Sequence, residues 1–194
     1  DLIEAYLERR ENEAIDYAVI AAQDVICFGL FAKGGVEIGG VLDTDIAEVH
    51  GYLTAGKIVA NEEIMIDGGI ECKGDLWGGD IWVGAGMYCG GNCKADSLKA
   101  DEGDISARGC LYVFDDISTP GNIQAGRWVA SSHRIVAGKF IKAGEAIVGE
   151  KGISAGRDYG VLAGLAVPRS RWRDIGFVSA PKRPNNMISG EYFA

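Results

Sequence analysis

The chain has 194 residues, 47% of them apolar, and a formal charge of −9 at neutral pH. That length suits one domain or one elongated repeat body, and no apolar run approaches the roughly 18 residues of a membrane span. An acidic chain is repelled by nucleic acid and by anionic lipid, so neither is an expected partner.

Residues 1–17 place Leu2, Ile3, Tyr6, Leu7 and Ala14 at helical spacings with Glu and Arg between them. The spacing predicts a short helix that caps whatever follows. Its acidic start, with Asp1, Glu4 and Glu8, does not read as a secretory leader.

Residues 18–167 repeat with a period close to six. From Ile105, every sixth position through Leu111, Ile117, Ile123, Val129, Ile135, Ile141, Ile147 and Ile153 is aliphatic. Two residues after each stands a small or β-branched one: Ala107, Val113, Thr119, Ala125, Ser131, Ala137, Ala143, Gly149 and Ala155. Upstream the series runs through Val19, Val25, Phe31, Val36, Val41, Ile46, Leu53, Ile58, Ile64, Ile70, Leu76, Ile81, Met87, Cys93 and Leu98, with slips of one residue. A period of six drifts against the 3.6 of a helix. In a strand, positions one and three of each hexad share a face and point inward, and the remaining residues turn a corner. Glycine eases such corners, and the chain has 29 of them, roughly twice the usual share. The expectation is an all-β fold: a three-sided β-solenoid of about eight coils, stable only as a stack.

At Pro168 the hexads stop. Residues 168–194 carry Trp172, Ile175, Phe177 and Val178 without a repeat, which predicts an irregular C-terminal cap. They are also basic, with five Lys or Arg against two Asp or Glu, leaving a charge of −12 on residues 1–167.

The segments IQAGRW, IVAGKF, IKAGEA and ISAGRD resemble the hexapeptide-repeat β-helix proteins, most closely bactofilin-like polymer-forming proteins and bacterial proteins with I-x-A-G hexads. The resemblance covers residues 58–167. It implies a fold rather than a reaction, and it assigns no functional residues. The small residue follows the aliphatic one here, whereas left-handed hexapeptide acyltransferases usually place it two before.

Little in the chain suggests catalysis. The two histidines, His50 and His133, lie more than four coils apart, roughly 20 Å along a stack, so they cannot share a metal. A trimeric acyltransferase using one of them is the weakest of the readings weighed. Five cysteines show no zinc-finger spacing; Cys72, Cys89 and Cys93 fall at inward positions and read as small core residues. Reduced thiols suit the cytoplasm. The glycine-rich GGDIWVGAG stretch lacks the lysine and helix of a phosphate loop. No cofactor or metal is expected.

Sorting the rungs by side is more informative. One side places Leu42, Val59, Trp77, Lys94, Tyr112, Ala130 and Val148 outward, mostly uncharged and with two large aromatics; apolar patches of this kind mark contacts. The other two sides read Ala47, Met65, Trp82, Lys99, Ser118, Val136, Ser154 and Thr54, Glu71, Tyr88, Ser106, Gln124, Lys142. The corner after the apolar side is acidic on successive coils: Asp43 and Asp45, Glu62 and Glu63, Asp80, Asp96, Asp115 and Asp116. Like charges stacked this closely repel by nearly 1 kcal/mol each even in water. The predicted site is therefore protein-binding and comprises Glu62, Glu63, Trp77, Asp80, Asp96, Tyr112, Asp115 and Asp116. The function expected of it is recognition of a protein with a basic surface, as an inhibitor or immunity-type protein neutralising a basic toxin. A bactofilin-like scaffold that polymerises end to end is the alternative.

Overall fold

In the computed structural model, which describes residues 19–194, the chain winds into a parallel β-solenoid with three sides. The first side stacks β1 (Val19–Ala21), the starts of β4 (Val36–Val49) and β5 (Leu53–Ile66), then β6 (Ile70–Cys72), β9 (Met87–Cys89), β12 (Ile105–Ala107), β15 (Ile123–Ala125), β18 (Ile141–Ala143), β21 (Val161–Leu162) and β23 (Met187–Ser189). The second stacks β2 (Val25–Ile26), the middles of β4 and β5, then β7 (Leu76–Trp77), β10 (Cys93–Ala95), β13 (Leu111–Val113), β16 (Val129–Ser131), β19 (Ile147–Gly149), β22 (Phe177–Ser179) and β24 (Glu191–Phe193). The third stacks β3 (Gly29–Ala32), the ends of β4 and β5, then β8 (Asp80–Val83), β11 (Ser97–Ala100), β14 (Ile117–Thr119), β17 (Arg134–Ala137) and β20 (Gly152–Ser154), where it stops.

The core is a set of aliphatic columns, one per side, because in-register parallel strands place like positions above one another. On the first side Leu53, Ile70, Met87, Ile105, Ile123 and Ile141 form an unbroken buried file. Burying each such side chain stabilises by roughly 1.5–3 kcal/mol. The corners between the first and second sides are tight enough to demand glycine. A Cβ added to Gly126 would overlap the Arg108 carbonyl oxygen, and one on Gly144 the Gly126 carbonyl oxygen.

Two expectations are corrected. The solenoid has about ten turns on its first two sides rather than eight, because the C-terminal segment is not irregular throughout. After a 3-10 turn (Arg169–Arg171) and a one-turn helix α1 (Trp172–Ile175), β22, β23 and β24 rejoin the stack. Trp172 anchors that excursion by donating its indole N–H to the Gly164 carbonyl at 3.2 Å. The phase of the second coil also shifts. Leu42 and Ala47 are fully buried and stack on Ile58 and Ile64, whereas Val41 and Ile46 are only half-buried. Likewise Leu30 points inward and Phe31 outward. The β4–β5 register shifts between Ile38 and Val41 and again between Thr44 and Ile46, and a slip of one residue exchanges inside and outside. The helix expected over 1–17 lies outside the described residues.

Candidate functional site

Of the three corners, the one between the second and third sides is poorest in glycine and richest in acid. Its residues form two adjacent files. Glu62, Gly79, Asp96, Asp115, His133 and Lys151 succeed one another in the first: a Cβ on Gly79 would meet the Glu62 carbonyl, Asp96 N–H donates to Gly79 at 2.9 Å, Asp115 N–H to Asp96 at 2.6 Å, and Lys151 N–H to His133 at 2.8 Å. The second file pairs Glu63 with Asp80 and Asp80 with Ser97, and higher up holds Asp116 and Arg134.

The corner therefore gathers Glu62, Glu63, Asp80, Asp96, Asp115 and Asp116, but not as an unbroken ladder of like charge. Gly79 interrupts one file and Ser97 the other, and the Ser97 hydroxyl donates to Asp80 at 2.6 Å. At the upper end the acids are met by bases: the His133 ring contacts Asp115, and Arg134 Nη2 lies 3.0 Å from Asp116 Oδ2. The Arg134 guanidinium, helped by the Arg134 backbone N–H, holds the Asp116 carboxyl below its ordinary range. Repulsion along the corner is correspondingly smaller than a continuous column would give. Of the two acids before Glu62, Asp45 sits at the corner and accepts a bond from Asn61 at 2.7 Å. Asp43 instead takes the outward place on the second side, in register with Val59, that the sequence pattern gave to Leu42.

Beside this corner runs the outward file of the second side: Val59, Trp77, Lys94, Tyr112, Ala130 and Val148, each in register with the next. Trp77 and Tyr112 are 47% and 44% exposed, so both rings remain available for contact. Lys94 lies between them, and Lys57 Nζ sits 4.8 Å from the Trp77 ring centroid. Burial raises the Tyr112 phenol above its usual value, with a contribution from Cys110. On the third side the outward file starts Phe31, Glu48, Met65, so Glu48 stands where Ala47 was expected.

Sequence reasoning missed two features. Phe114, 72% exposed, projects beside Asp115 and extends the Tyr112 surface onto the corner; an aromatic at the fourth position of a hexad was the available signal. The second is a recurrent cap. Asp24, Asp75, Asn92, Asp104, Asp116 and Asn122 each precede an inward position, and each side-chain oxygen accepts the backbone N–H of the coil above. Chain direction changes there, so the strand ladder cannot supply those acceptors, and the side chain does so instead. Part of the Asp and Asn content of the corners is thereby structural.

Among the described residues, one group offers ligand atoms close enough for a metal: Asp115, Asp116 and His133, within 4.8 Å of one another. Arg134 already holds one oxygen of that set. His50 lies at a different corner, bonded through Nδ1 to Asp67 at 2.6 Å. All five cysteines are unpaired. Cys72 and Cys89 are fully buried neighbours in register. The proximity of the two thiols pushes Cys72 up and draws Cys89 down to about 7, and burial pushes Cys93 up. No described helix is long and apolar enough to cross a membrane.

Comparison with protein-family models, curated proteins and solved structures finds no match.

Proposed function

We propose that this chain is a non-enzymatic binding protein that engages a basic protein surface, in its concrete form an inhibitor of the immunity type that neutralises a basic toxin in the cytoplasm. The observation that carries the reading is the contiguity of Asp80, Asp96 and Asp115 with the exposed rings of Trp77, Tyr112 and Phe114 on one rigid edge. Exposed acids steer an oppositely charged partner and set the encounter rate. Desolvated aromatics set the residence time. A solenoid suits this division of labour, because each coil holds its outward residues in register and the backbone needs no ordering at the interface.

The test begins with the partner that the native protein captures from its source cells, followed by binding kinetics. Reversal of Asp80, Asp96 and Asp115 to Lys should slow association tenfold or more, and salt should mimic part of that loss in the native protein. Trp77→Ala should speed dissociation with little dependence on salt. Binding that survives both sets of changes overturns the reading.

The alternative, a bactofilin-like hexapeptide-repeat scaffold that polymerises end to end, draws support from a different feature. Among the described residues β1, β2 and β3 pair on one edge only, as do β20, β23 and β24, and open parallel edges favour stacking. Filaments of purified protein in the electron microscope would support it; discrete particles would reject it.

A further inference from the structure

The third side ends earlier than its neighbours. Among the described residues its last strand, β20, pairs with β17 below and with no strand above, while the first and second sides continue through β21, β22, β23 and β24. The consequence is visible in the core: Leu30, Ile64, Ile81, Leu98, Ile117 and Ile135 of this side are all at most 3% exposed, whereas Ile153 is only partly buried. Lower in the stack, the N–H of an inward aliphatic donates to the coil above, as Leu98 does to Asp116 at 3.1 Å and Ile141 to Gly160 at 3.1 Å. With no strand above it, Ile153 has no counterpart for that bond among the described residues.

The missing rung is replaced by a cleft of about 560 Å³, floored by Gly152, Ile153, Ser154 and Ala155. Its other lining residues give it a charge opposite to that of the body. Arg134 lies one rung lower, in register with Gly152, Arg157 follows β20, and Lys182 and Arg183 reach in from the segment between β22 and β23. Arg134 is partly neutralised by Asp116. Arg157, Lys182 and Arg183 form no ion pair with any described residue, and the Arg183 guanidinium lies 6.0 Å from the Tyr192 ring. On a chain with net charge −9, this concentration of cations around an open strand edge is set apart from the rest of the surface.

We infer that this cleft binds an extended acidic peptide, which adds itself to β20 as the ninth rung of the third side. Main-chain hydrogen bonds to an exposed edge provide affinity in such additions, and alternate side chains provide specificity. Here the geometry sets both. An aliphatic residue and a small residue two positions later face inward over Ile153 and Ala155, as Ile135 and Ala137 do in the rung below. Flanking carboxylates meet Arg157, Lys182 and Arg183, the last two closing over the strand. The ligand thus follows the pattern acid–aliphatic–x–small–acid. The site meets the acidic corner only at Arg134 and is opposite to it in charge, so either can fail without the other.

The probe is a fluorescein-labelled peptide of sequence EDISADE, titrated with the full chain and followed by fluorescence anisotropy. Saturable binding is expected. Methylating the backbone nitrogens of its Ser and of the Asp after Ala, the two N–H groups that face β20, should weaken binding at least tenfold while leaving every charge in place, and the lysine-flanked peptide KKISAKK should not bind. The Lys182→Glu/Arg183→Glu variant should also bind at least tenfold more weakly. Should that variant fail to fold, the methylated peptide still tests the wild-type protein. Absence of binding, indifference to backbone methylation, or equally tight binding of inorganic polyphosphate would each overturn the inference; the last would mark the cleft as a nonspecific anion patch.

Discussion

Asp116 serves Arg134 twice across one coil boundary. Its Oδ1 accepts the Arg134 backbone N–H at 2.9 Å, and its Oδ2 accepts the guanidinium at 3.0 Å. The same carboxylate is therefore part of the acidic corner and part of the scaffold, which separates it from Asp80 and Asp96. Asp116→Ala leaves a backbone donor without its acceptor and should destabilise by about 1 kcal/mol. Asp96→Ala should change stability by no more than about 0.5 kcal/mol. Urea denaturation of the two variants checks the contrast.

Asn92 and Asn122 perform the Asp116 backbone role at other corners, so Asp116→Asn should keep that bond and be more stable than Asp116→Ala. The two also differ in acid. Asp116 is depressed by Arg134, and Glu145 by Arg127 and Trp128. A carboxyl whose folded value is lowered adds stability that is complete above its unfolded value, near pH 4, and is lost as pH falls through the folded value. Melting temperature should consequently hold from neutrality to about pH 5 and fall below it. In Asp116→Asn that fall should be shallower, and an identical pH profile would deny Asp116 any part in it.

Ile123 is fully buried while Gln124 beside it is exposed. Ile123→Asp places an unpaired charge in an apolar column and should cost several kcal/mol. Gln124→Asp should be nearly silent. Thermal melts that rank the two the other way would contradict the inward phase of this coil.

Inserting one residue between Ile135 and Ile141 should turn the downstream core residues outward, because strand side chains alternate with period two. Duplicating one whole 18-residue coil, Ile105 to Asn122, should be tolerated, since repeat stacks are built from neighbour contacts alone. Circular dichroism and melting of the two insertions should differ sharply.

Cys72, Cys89, Cys93 and Cys110 are buried, and Cys27 is half-buried. Although Cys89 is drawn down to about 7 by its neighbour Cys72, a thiolate-directed reagent cannot reach it. Native protein should show at most one fast-reacting thiol with a chromogenic disulfide, and Cys27→Ser should remove it. In guanidinium all five should react. Rapid loss of more than one thiol from the native protein would place the middle coils among its mobile parts.

The amino-acid sequence by itself determined the six-residue period, the three sides and, from Leu53 to Ile153, which residues point inward, because side-chain alternation along a strand is local and appears directly in spacing. It also brought the acids from Glu62 to Asp116 to one corner. Only the tertiary structure decided the rest. The strands Phe177–Ser179, Met187–Ser189 and Glu191–Phe193 join the stack without any hexad spacing, since a rung is defined by hydrogen bonds to a distant coil rather than by its neighbours in the chain. The inversion at Leu42 and Ala47 arises where the register slips, once at Gly39 and Gly40 and again at Asp45. The Asp116–Arg134 pair joins residues 18 positions apart. Such pairings come into being when a coil closes on the one below, and that closure fixes which acids remain free on the surface and which are bound into the scaffold.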